Sequence, residues 1–111
     1  ELGGNDGLRG LPLEVTRSNL ASMIDQSRAI GAAIILSEIR IPPNYGRTYT
    51  EKFNGLFHEL AEQDGVTLLP FLLQDIALEP GMMLPDGIHP TAAAQPVILD
   101  VVWAQLAPLL D

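Results

Sequence analysis

Residues 32–39 read Ala-Ala-Ile-Ile-Leu-Ser-Glu-Ile, an apolar run without alternation. A strand with one wet face alternates apolar and polar side chains, so a continuous run describes a strand covered on both faces, as in a parallel sheet packed between helices. Residues 66–71 form a second such run, and Glu1-Leu2 reads as the end of a third. The segments between them carry the helical period. After Pro12, the residues Leu20, Met23, Ile24 and Ser27 predict a helix running to about Ile30 and stopped by Gly31, with Met23 in the core. Phe53, Leu56, Phe57 and Leu60 predict another, opened by a capping box at Thr48 and Glu51 and closed by Asp64-Gly65. His58 lies one position off that stripe and reads as a surface or boundary residue without a ligand role. A short helical turn is expected over 72–78. A last helix is expected from Thr91 or Ala92 to Ala107, with Pro96 in its first turn, Val97, Ile98, Val101, Val102 and Leu106 inward, and Trp103 as an edge-packing aromatic. Alternating strands and helices imply right-handed crossovers, hence an α/β protein with a three-layer α/β/α sandwich around a parallel sheet.

Two stretches in this frame carry chemistry. Asp86-Gly87-Ile88-His89-Pro90 places a carboxylate three residues before an imidazole, in a segment that Gly87 and Pro90 hold out of regular structure. A His that takes a proton from a nucleophile needs a carboxylate to fix its tautomer, so the pair reads as catalytic. Gly3-Gly4-Asn5-Asp6-Gly7 combines glycines that permit close backbone approach with an Asn amide able to donate to a developing oxyanion, while Asp6 reads as a buttress of the turn. Both stretches, and the loop from Arg40 to Tyr45, follow the C-terminal ends of expected strands, the edge where open parallel sheets place their sites.

Three blocks in register, Glu1 to Gly10, Arg40-Ile41-Pro42-Pro43-Asn44-Tyr45-Gly46, and Asp86 to Pro90 followed by Ala94-Gln95-Pro96, resemble the SGNH (GDSL-type) hydrolase family. Within it, the chain is similar to the C-terminal part of the thioesterase I / lysophospholipase L1 / arylesterase group. The resemblance implies a flavodoxin-like SGNH fold and a serine esterase or thioesterase acting on acyl esters, thioesters or lysophospholipids, with Asp86 and His89 catalytic and Asn5 in the oxyanion hole. By the same resemblance Leu8, Arg9, Ile41 and Tyr45 would line the acyl site, and Arg40 would either anchor a polar substrate group or pair with Glu38. The family's other members imply a periplasmic or secreted location.

The family's Gly-Asp-Ser-Leu block and its middle Gly block do not occur here. The serines are Ser18, Ser22, Ser27 and Ser37, and none follows Gly-Asp. The expectation is therefore one partial SGNH domain over 1–111 whose N-terminal portion is missing, inactive alone, with its bared sheet edge covered by the N-terminal half of the same enzyme or by a second copy. Apolar residues near Leu2, Ala33 to Leu36 and Val97 to Val102 would then be covered by other polypeptide or stand exposed.

Two further classes fit the residues less well. A non-catalytic α/β binding module or a serine-less homologue would keep the fold and lose the chemistry, and a metal site would have to gather Asp6, Asp86 and His89. No cofactor or metal is expected. A net charge of −8 with only six scattered Lys and Arg argues against a nucleic-acid surface. The absence of Cys removes thiol chemistry and disulfides. No uninterrupted apolar run reaches the roughly 18 residues of a membrane span, so the chain is not expected to be transmembrane.

Overall fold

The computed structural model describes residues 1–110, which form two compact units, Glu1–Leu68 and the residues from Leu69 on. In the first unit the helices α1 (Gly4–Leu8), α2 (Leu13–Ala29) and α3 (Arg47–Ala61) accompany the paired strands β1 (Ile34–Ser37) and β2 (Val66–Leu69). The strands run parallel, joined through α3. Both are shorter than the apolar runs that predicted them. Pro70, which has no N–H to give to a ladder, follows the last residue of β2. Ile39 and Ile41 remain buried beyond the end of β1, so burial continues where pairing stops. Glu1 and Leu2 are not a strand, because neither enters the β1–β2 ladder.

The core of this unit gathers the expected stripe of α3 with Leu20 and Ile24 of α2 and with Leu36, Ile39 and Ile41. Phe53 and Phe57 are fully buried and meet edge to face at 5.3 Å. Burial of such rings contributes about 1.5–3 kcal/mol each. Two expectations fail here. Met23 is 39% exposed, because it borders an open apolar groove with Leu2, Leu20, Ile24, Ile34 and Leu36 instead of filling the core. The capping box of α3 does not form, since the helix already begins at Arg47, after Gly46 at φ 93°. Glu51 then pairs with Arg47 at 2.8 Å, and the Thr50 hydroxyl donates to the Gly46 carbonyl at 3.0 Å.

In the second unit, residues 72–78 make the expected turns, with the Ala77 N–H donating to the Leu73 carbonyl at 2.8 Å. Met83 and Pro90 form an antiparallel bridge that closes the loop between them. The last helix, α4 (Gln95–Leu106), has a 3-10 turn at each end, Ala92–Ala94 and Ala107–Leu109, and Pro96 sits in its first turn. Its expected inner residues are half-buried, while Leu99 and Trp103 stand out at 61% and 54% exposure. Counting uninterrupted apolar residues underestimated this helix. Ala92–Leu109 is long and apolar enough by length and composition to cross a membrane, despite Gln95, Asp100 and Gln105 within it.

Candidate active site

The Asp86–His89 loop is fixed from both sides by backbone bonds. The Leu84 N–H donates to the His89 carbonyl at 2.7 Å, the Thr91 N–H to the Met82 carbonyl at 2.8 Å, and the Gly87 N–H to the Leu84 carbonyl at 2.9 Å. Gly87 takes φ 68°, where a side chain would be strained. Inside this frame the two oxygens of Asp86 divide their work. Oδ1 accepts from the backbone N–H groups of Ile88 (2.9 Å) and His89 (3.0 Å), and Oδ2 lies 2.6 Å from His89 Nδ1.

That division sets the protonation pattern. The hydrogen bond from the His89 backbone, the one from its imidazole and the one from Ile88 stabilise the carboxylate, lowering the Asp86 pKa from 3.8 to about 2. At neutral pH Asp86 is therefore an acceptor only, so the 2.6 Å contact requires the proton on Nδ1. In that tautomer the lone pair is on Nε2, on a side chain 68% exposed. A carboxylate-oriented imidazole with a free Nε2 is a competent general base.

In the first unit the Gly3-Gly4-Asn5-Asp6-Gly7 stretch, read from the sequence as a turn, enters the single helical turn α1, and Asn5 is exposed on it. Gly4 and Gly7 lie against Ile39 and Ile41, so α1 rides over the end of β1. Gly7 is buried so closely that a Cβ there would fall 2.7 Å from two ring atoms of Phe53. Asp6 buttresses the turn as expected: its Oδ2 accepts from the Thr16 hydroxyl at 2.9 Å. The Tyr49 hydroxyl donates to the Leu11 carbonyl at 2.7 Å, and burial, then the charge of Asp6, raises the Tyr49 pKa above its ordinary value.

Of the expected acyl-site residues, Arg9 and Tyr45 are exposed and Leu8 is half-buried, whereas Ile41 is buried beneath α1. Arg40 does pair with Glu38, Nε to Oε1 at 2.8 Å. Glu38 is buried, and its Oε2 meets His58 Nε2 at 3.2 Å. Glu38 and His58 belong to different elements, and only an unpaired carboxylate beside an apolar run hinted that a cation must face it. Thr16 and Tyr49 gave no signal in the sequence beyond their places on helices. Among the described residues no group of three or more His, Asp or Glu could hold a metal ion.

None of the serines stands at a strand-to-helix turn. Ser18, Ser22 and Ser27 lie within α2, and Ser37, at the end of β1, is buried.

Residues 1–96 match the family described as GDSL-like Lipase/Acylhydrolase. The chain is 49% identical over 110 residues to the Esterase TesA of Pseudomonas aeruginosa, an alignment that covers 99% of this chain and 55% of that protein. It is 44% identical over 111 residues to the Thioesterase 1/protease 1/lysophospholipase L1 of Escherichia coli K12, covering 100% of this chain and 53% of that protein. The chain thus spans about half the length of the curated relatives it matches. The crystal structure of TesA superposes with a TM-score of 0.91 at 49% identity, over 99% of this chain and 61% of that one. The fold is the α/β fold with parallel strands expected of an SGNH hydrolase.

Proposed function

The chain belongs to the GDSL-like lipase/acylhydrolase family, and from that premise we propose that it supplies the general base, its orienting carboxylate and one oxyanion donor of a serine hydrolase of acyl esters, thioesters or lysophospholipids. The observation that carries this reading is the 2.6 Å contact between His89 Nδ1 and an Asp86 carboxylate whose other oxygen is saturated by backbone N–H groups. His89 Nε2 takes the proton of a serine outside residues 1–111. The serine oxygen attacks the acyl carbonyl, and the negative charge that gathers on the carbonyl oxygen is met by the Asn5 amide. The imidazolium, held by Asp86, then returns its proton to the departing alcohol or thiol. Water repeats the cycle on the acyl-enzyme.

Substrate contacts fall to Leu8, Arg9 and Tyr45, with Ile41 supporting them from beneath and Arg40 offering the terminal nitrogens that Glu38 does not engage. The apolar groove along β1, lined by Leu2, Leu20, Met23 and Ile34, is the face that the remaining part of the same enzyme covers. Alone, the 111 residues hold a base and a donor with nothing to attack the ester, and do not turn over.

The test is the turnover of a p-nitrophenyl acyl ester by the full-length protein. His89→Ala and Asp86→Ala lower kcat by at least about 10³-fold, and Asn5→Ala lowers it by about 10²–10³-fold. Near-wild-type turnover in Asp86→Ala would overturn the assignment of roles.

A further inference from the structure

We propose that Asp6 and Thr16 are a positioning pair that aims the Asn5 carboxamide, which rests on the reading of Asn5 as oxyanion donor. An oxyanion donor works only if its N–H is already directed at the site where charge develops, and a displacement of about 1 Å costs on the order of 10²-fold in rate. Asn5 cannot hold itself in place. It is exposed, and α1 is a five-residue turn, far too short to be stable as an isolated helix. Its direction is inherited from whatever fastens α1 to the rest of the unit.

Besides the apolar contacts of Gly4 and Leu8 with the core, three fastenings are present, and they differ in kind. Gly7 lies against the Phe53 ring, which fixes how closely α1 approaches the core. The Leu11 carbonyl accepts from Tyr49, which ties down the segment after α1. Neither contact is made by a neighbour of Asn5 in sequence. The third is the hydrogen bond from the Thr16 hydroxyl to Asp6 Oδ2 at 2.9 Å, made by the residue next to Asn5. Thr16 is 1% exposed on the 17-residue helix α2, so its hydroxyl is a rigid donor with no water to compete for it. A hydrogen bond to a carboxylate is about twice as strong as one between neutral groups and is directional. It holds the rotation of α1 about its own axis, which sets the direction in which the Asn5 side chain leaves the backbone. Asp6 acts through Asn5 and touches no reacting atom.

The experiment is a double-mutant cycle in the full-length protein, reading kcat and KM separately with a p-nitrophenyl acyl ester. Thr16→Val, which keeps the shape and removes the hydroxyl, lowers kcat by about tenfold with KM within about twofold of wild type, and Thr16→Ser restores kcat to within about twofold. In an Asn5→Ala background Thr16→Val changes kcat by less than about twofold, because there is no donor left to aim. A tenfold loss that persists in the Asn5→Ala background would make the pair merely structural and overturn the proposal while leaving the reading of Asn5 intact. An Asn5→Ala protein with wild-type kcat would overturn that reading and the proposal with it. If Thr16→Val is unfolded by circular dichroism, the same cycle is run with Asp6→Ala, which removes the acceptor, and the same outcomes decide.

Discussion

The Asn5 turn is fastened through pairs ten and thirty-eight positions apart, Asp6 with Thr16 and Leu11 with Tyr49, whereas Asp86 and His89 are fastened to each other three positions apart. The first arrangement exists only when α1, α2 and α3 have packed around Phe53. The second is completed by a loop that closes on itself over residues 81–91, through the Thr91 hydroxyl on the Gly81 carbonyl and the Met83–Pro90 bridge. The setting of Asn5 is therefore a product of the core, and the Asp86–His89 pair of a local motif. Damage to the core and damage to the motif should separate cleanly.

The widest separation is expected from truncation. Phe53→Ala empties a fully buried ring site and destabilises the first unit by about 3–5 kcal/mol, read by denaturant unfolding. His89→Ala, on a side chain 68% exposed, changes stability by no more than about 0.5 kcal/mol in the same assay. Equal costs would erase the distinction. A smaller effect is expected from Gly7→Ala, whose Cβ must displace the buried Phe53 ring at 2.7 Å, at about 1–3 kcal/mol. A neutral Gly7→Ala would show that α1 does not lean on the core.

The smallest effect is expected in the Asp86–His89 loop. The Asp86 pKa is depressed to about 2 from 3.8, so the stabilisation from its hydrogen bonds is fully present above pH 3.8 and is lost as pH falls through about 2. Carboxyl NMR should place the Asp86 midpoint near pH 2. In His89→Ala the imidazole is gone but the backbone N–H bonds remain, so the midpoint moves only part of the way back. An Asp86 midpoint already at 3.8 in the unaltered protein would mean that the loop is not held as described.

The same contrast explains what could be read in advance. The Asp86–His89 pair was legible because both members and the turn that joins them lie within five residues. The α3 stripe and the inner face of α4 were legible because helical period and burial coincide there. The Gly-Gly-Asn-Asp-Gly stretch reads as a turn by composition, and its helical turn is imposed by Gly7 against Phe53 and by Asp6 on Thr16, neither of which is a local preference. Met23 shows the opposite failure: its place in the period is right, but the groove it faces is open. The Glu38–His58 pair joins residues twenty positions apart across two elements, and no spacing rule connects them.

The roles proposed for Asp86 and His89 require a serine nucleophile outside residues 1–111. Treatment of the full-length protein with an organophosphonate carrying a good leaving group, which phosphonylates an activated serine, followed by peptide mass spectrometry, should find one adduct, on a serine outside residues 1–111, and should find none in His89→Ala. An adduct on Ser18, Ser22, Ser27 or Ser37, or labelling that persists without His89, would contradict it.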